Sequence, residues 1–228
     1  MSGVPYPQLI GRPFEKMGVR SLAILVLILL VTATGQAQTK NLLQNSNADA
    51  AGDHWRTFGN AIVERGGDGS HFTIRHAGYF LQDVALPGDS AGKYALLIGR
   101  VSSERINPDG AITGLPYLYG YMLADSKVGK INDYLQGQQM LGRAKEKNAW
   151  VVAWGVFKIP EGTTTIRYFL NQAERQGLPQ DGSAARFDDL GLYVFATAEE
   201  AKVFVDLYSE GTRYSRLRGK PSIPAYTD

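Results

Sequence analysis

Pro116-Tyr117-Leu118-Tyr119-Gly120-Tyr121-Met122 places three tyrosines two residues apart. Side chains of an extended strand alternate between its faces, so Tyr117, Tyr119 and Tyr121 share one. Aromatic rings cover the C–H face of a pyranose, while planar polar groups bond its hydroxyls. A sugar pocket mixes the two. Arg100 at a strand end and Asn171 beside Gln172 offer the polar groups, and Trp154 offers a further ring on the face of Trp150. The candidate ligand-binding residues are therefore Tyr117, Tyr119, Tyr121, Trp154, Arg100 and Asn171. The same tyrosine stripe also reads as the core edge of a sandwich. Gly120 favours a ligand, because a glycine inside a strand marks close approach.

Catalytic chemistry has weaker support. With no Cys there is no thiol nucleophile, no iron–sulfur cluster and no disulfide framework. The three histidines do not have metal-ligand spacing, and no Gly-x-Ser-x-Gly elbow occurs. Gly66-Gly67-Asp68-Gly69-Ser70 lacks the Lys-Ser/Thr of a phosphate loop. Glycoside hydrolysis needs two facing carboxylates. Glu64, Glu104, Asp125, Asp133 and Glu174 are available, but nothing in the sequence pairs them. A non-catalytic chain is expected.

These residues sit on short apolar runs separated by turn signals. Strands are expected at 55–58, 61–64, 72–75, 80–84, 94–101, 116–124, 150–159, 165–171 and 185–195. The 126–148 segment reads equally as a strand pair or a loop. Such spacing suggests an all-β sandwich with jelly-roll or Greek-key connections. Leu190, Leu192 and Val194 alternate with Gly191, Tyr193 and Phe195. The 150–157 run is apolar on both faces, as a strand covered on both sides would be. One short helix follows at 197–208, opened by Thr197 with Glu200 three residues on. Its stripe of Ala201, Phe204, Val205 and Tyr208 should dock on the sandwich. Beyond Gly211 the chain reads as a basic, mobile tail.

The chain opens differently. Arg20 precedes an uncharged run from Leu22 to Val31, and Gly35-Gln36-Ala37 supplies small residues for cleavage. That pattern is a signal peptide over 1–37, with Met17 as an alternative start. Uncleaved, it would anchor the chain to a membrane. Export to the periplasm, the cell surface or the medium follows. Without residues 1–37 the chain loses Arg12, Lys16, Arg20 and Glu15, leaving equal numbers of acidic and basic residues. Nucleic acid is a poor partner for such a chain. The domains are thus 1–37, a β domain at 41–195, and a helix with a basic tail at 196–228.

Two segments carry a resemblance. Asn41-Leu42-Leu43-Gln44-Asn45-Ser46-Asn47-Ala48-Asp49, with Gly52 and Trp55, resembles the opening of jelly-roll carbohydrate-binding modules. Phe187-Asp188-Asp189-Leu190-Gly191-Leu192-Tyr193 resembles their closing strand. Both also resemble the F-box-associated domain, a galactose-binding-like sandwich. The resemblance brackets residues 41–195. It implies an all-β, galactose-binding-like jelly-roll β-sandwich with one short C-terminal α-helix, binding glycan or polysaccharide. It also implies a structural calcium shared by the first and last strands, with Asp49 and Asp188 as ligands. Asp49 departs from the glutamate usual there. The competing expectations are a surface interaction domain with buried tyrosines, and a small carbohydrate-active enzyme.

Overall fold

Alternating apolar side chains make much of the described chain extended. The structure, a computed structural model, describes residues 40–66, 69–105, 114–124, 133–172 and 183–218. The expected signal segment, Asp125, Glu174 and residues 219–228 lie outside the described residues. Among the described residues eight strands form: β1 (Arg56–Gly66), β2 (Gly69–Ala85), β3 (Tyr94–Ser103), β4 (Pro116–Leu123), β5 (Asp133–Leu135), β6 (Val151–Lys158), β7 (Thr165–Gln172) and β8 (Ala184–Phe195). Helix α1 (Ala198–Arg218) follows.

All the named strand pairs are antiparallel, in the order β5-β4-β7-β2-β8-β3-β6 with β1 on β2. The path bends into two leaves because β2 serves both. Tyr79–Ala85 pairs with β7, and Phe72–Arg75 pairs with β8. Between these stretches His76 has φ 60°. A Cβ on Gly78 would lie 2.9 Å from both the Asn60 nitrogen and the Phe58 oxygen, so only glycine fits where β1 crosses. β1 bends with its partner through a register shift between Gly59 and Ala61. Four expected short strands are therefore two long bent ones. The turn residues at 59–60 and 76–78 mark bulges rather than chain reversals.

The core lies between the leaves. Leu97 of β3, Leu118 and Met122 of β4, Tyr168 of β7, and Leu190 and Leu192 of β8 are buried there with Trp55 and Phe72. The Tyr168 hydroxyl donates to the Ile98 carbonyl at 3.0 Å, tying one leaf to the other. This is the jelly-roll β-sandwich that the alternation and turn spacing predict.

Leu96, Ile98, Tyr193 and Phe195 face away from that core, where Ala201, Val205 and Tyr208 of α1 cover them. This explains the doubly apolar β6: Val152, Trp154 and Val156 pack in the same outer cluster. The helix starts as expected. Glu200 N–H donates to the Thr197 hydroxyl at 3.2 Å, and the Glu200 carboxylate accepts from Ala196 N–H at 3.1 Å. It runs on to Arg218, past Tyr208 where it was expected to end and through Gly211, beyond which a mobile tail was expected. One glycine costs a helix only about 1 kcal/mol, less than a stop requires.

Candidate functional site

The outer face of the first leaf, made by β5, β4, β7 and the Tyr79–Ala85 stretch of β2 with β1 beside it, carries the tyrosines. Register sets them in three rows running across the strands. Tyr134, Tyr121, Arg167 and Asp83 form one; Tyr119, Phe169, Leu81 and Arg56 the next; Tyr117, Asn171, Tyr79 and Phe58 the third. The rings touch throughout. Tyr119 stacks on Phe169 with centroids 4.5 Å apart, and Tyr117 stacks on Tyr119 at 5.5 Å. Tyr121 meets Tyr134 at 5.2 Å, and Tyr79 meets Phe169 at 5.6 Å and Phe58 at 5.2 Å. Phe58 is 62% exposed and Tyr134 40% exposed, while Tyr117, Tyr119 and Tyr121 are half-buried.

Two groups hold this face in place. The Asn171 side chain bonds the Tyr119 hydroxyl and also accepts from Gln172 N–H at 2.7 Å. Asn171 thus sits where expected but is occupied in positioning a ring. Burial pushes the Tyr119 hydroxyl pKa above its ordinary value. Burial, with a hydrogen bond to Tyr134, does the same for Tyr117. Both stay neutral donors at any physiological pH. Gly120 faces inward instead of toward a ligand. A Cβ there would lie 2.6 Å from the Arg167 carbonyl and 3.3 Å from Leu97, so the close approach it permits comes from β7 and β3.

Phe169, Tyr79, Phe58 and Tyr134 were missed in the sequence. Phe169 was recoverable: Arg167, Phe169 and Asn171 are alternate positions of one strand and share a face. Tyr79 lies at the sheet crossing, which the sequence does not display.

Arg100 and Trp154 do not join this face. Both lie on the outer side of the other leaf, where Ile98 pairs with Trp154 and Arg100 with Val152. Trp154 packs in the cluster that α1 covers. The Arg100 side chain is only 7% exposed; it pairs with Asp189 at 2.7 Å and lies 5.0 Å from the Trp150 ring centre. Asp189 has φ 48°, opposite the register shift between Ile98 and Arg100. Its carbonyl accepts the Tyr208 hydroxyl, which fastens the helix.

Two of the expected acid–base candidates meet on that same leaf. Glu64 and Glu104 are bridged by Arg75, at 3.3 Å to each, and by Arg186. Burial pushes the Glu64 carboxyl upward, but the Thr73 hydroxyl, Arg75 and Arg186 outweigh it and hold it low. Burial likewise opposes the Ala184 N–H, Arg186 and Arg75 at Glu104, with the same net lowering. A general acid needs the opposite shift. This pair is built as an ion-pair network.

The opening motif has a structural role. The Asn41 side-chain Oδ1 accepts from Leu43 and Leu192 N–H, and its Nδ2 donates to the Leu190 carbonyl at 2.9 Å. Asn45 bonds Ala50, Ala51 and Asp53, closing the loop under Trp55. Leu190 N–H donates to the Ser46 carbonyl at 2.9 Å, so the segments of Asp49 and Asp188 adjoin. The Asp49 carboxylate accepts from Asn47 at 2.6 Å, and that of Asp188 from Asp189 N–H at 2.8 Å. Among the described residues no three acidic or histidine side chains gather. Calcium takes six to eight oxygens. A cation here would draw most of them from backbone carbonyls and water.

No family model matches the chain, and no curated protein matches it. Among solved structures it is similar to the enzymatically active domain of bacteriophage CBA120 tailspike protein 4, with 10% identity and a TM-score of 0.47. That match covers 68% of this chain and 21% of the tailspike chain. It is also similar to the second family-22 xylan-binding domain of Paenibacillus barcinonensis Xyn10C. There the identity is 13% and the TM-score 0.46, over 66% of this chain and 98% of that one. A family-61 carbohydrate-binding module in complex with β-1,4-galactotriose gives 16% and 0.41, over 70% and 100%.

Proposed function

We propose that this chain is an exported, non-catalytic, lectin-like carbohydrate-binding module whose site is the outer face of the first leaf. One observation carries the reading. Tyr117, Tyr119, Tyr121, Tyr134 and Phe169 form a continuous ring surface on a face distinct from the one that α1 covers. Rings that serve only as core would be turned inward, as Trp55, Phe72 and Tyr168 are. The face spans five strands, roughly 19 Å at the usual spacing between strands. That suits a chain of sugars better than a single ring. Calcium belongs to the same reading, as a staple between the loop of Asp49 and the strand of Asp188. Export through residues 1–37 belongs to it too.

The test is a glycan and polysaccharide array probed with residues 38–228, in calcium and again in EDTA. Specific binding that Tyr119→Ala removes supports the reading, and its loss in EDTA supports the calcium. Phe58 and Ile62, 62% and 50% exposed on the edge strand β1, favour a protein-interaction domain as the rival. An array without signal in either condition favours that rival.

A further inference from the structure

We propose that the cleft at the edge of β2 takes a carboxylate-bearing sugar, a uronic acid unit, of the chain held on the aromatic face. This rests on the carbohydrate reading above.

The cleft, of about 500 Å³, opens where β1 stops pairing. Arg56 is the last β1 partner, opposite Leu81, while β2 continues to Ala85. The first aromatic row leads into it: from Tyr121 to Arg167, then to Asp83 on the cleft wall. His54, held in a left-handed backbone conformation with φ 68°, lines the cleft with Arg56.

The two β2 side-chain acceptors there, Gln82 and Asp83, are in use. The Gln82 side-chain oxygen takes the Gln44 N–H at 2.9 Å, and its amide donates to the Gln44 carbonyl at 3.0 Å. Asp83 accepts from Arg167 Nε at 2.6 Å, Arg167 Nη2 at 2.9 Å and Arg56 Nη2 at 2.6 Å. The donors are in surplus. The Arg56 side chain is 62% exposed. It gives Asp83 one bond of the five that a guanidinium offers. Arg56 on the wall and Arg167 beside it share one carboxylate, so the three groups together carry +1. A neutral sugar presents hydroxyls that need acceptors as well as donors. This wall suits a planar anion, which a guanidinium fork binds with two parallel bonds.

The experiment titrates the full-length chain, expressed with export, against three polymers: a polyuronate, the same polymer fully methyl-esterified, and a neutral xylan. The expected result is polyuronate binding roughly tenfold or more tighter than its ester, from one charge-assisted pair. The preference should shrink in high salt. Arg56→Gln should erase it, leaving acid and ester bound alike, and the loss of one exposed ion pair should lower the melting temperature only slightly. Tyr119→Ala should abolish binding to all three polymers. Equal affinity for acid and ester, or a preference that survives Arg56→Gln, overturns this inference and leaves the carbohydrate reading standing. No binding to any polymer overturns both.

Discussion

Tyr119 and Phe169 lie ring on ring across the β4–β7 pairing, 4.5 Å apart and 7° from parallel. Their mutual contact makes them one slab. Phe169 remains only 8% exposed although it points away from the core. A slab already fixed loses little rotamer freedom when a ligand covers it. Tyr119→Ala should therefore abolish glycan binding, read by titration calorimetry. The stacking loss should cost stability only about 0.5–1.5 kcal/mol beyond the lost area. Unfolding on this change would return the tyrosines to the core.

Trp154→Ala should behave in the opposite way. Its ring packs in the cluster beneath α1, on the other leaf. Deleting a core aromatic costs about 3–5 kcal/mol. Partial exposure puts this change at the lower end. Glycan affinity at 25 °C should not change. Urea unfolding followed by tryptophan fluorescence, with binding measured in parallel, separates the two.

Arg100→Met should destabilise more than an exposed pair would. Arg100 and Asp189 are almost wholly buried, and removing one partner strands the other charge. Such losses run to about 3–5 kcal/mol. The double change Arg100→Met with Asp189→Asn should recover part of that loss. A double mutant as unstable as the single would assign the cost to packing alone.

Acid should weaken the fold through Glu64, Glu104 and Asp83. All three have folded pKa values lowered, Glu64 and Glu104 despite burial, Asp83 chiefly by its bond to Arg167. A lowered folded value means that the unfolded state binds protons first as pH drops. The stabilisation is thus complete above the ordinary values of 4.5 for glutamate and 3.8 for aspartate. It fades as pH falls below them. Solvent screening keeps each share small. Glu104→Gln should flatten the slope of urea midpoint against pH between roughly 5 and 3. An unchanged slope would remove Glu104 from the network.

Much of the fold was legible because its signals are local. Alternation in 185–195 separated the core face from the helix face, and Thr197 with Glu200 marked the helix start. The tyrosine stripe was legible for the same reason. The rest depends on which strands become neighbours. Arg100 and Trp154 carry the right chemistry for sugar, but only the pairing of β3 with β6 and β8 sends them to the other leaf. The row from Tyr134 to Asp83 crosses four strands whose sequence separation exceeds eighty positions at β2 and β7. No window along the chain contains it. Gly120 was misread because a period of two identifies a face without saying which side is the core.

β2 belongs to both leaves, and that has a consequence for how the molecule can come apart. In a sandwich whose leaves share no strand, one sheet can peel while the other persists. Here one continuous segment, from Phe72 to Ala85, carries the ladders of both leaves in succession, so opening either disturbs the strand that holds the other. The aromatic face and the helix-covered back are therefore cooperative parts of one melting unit. Amide protons along β2 should exchange only through global opening, at a rate set by the stability of the whole protein.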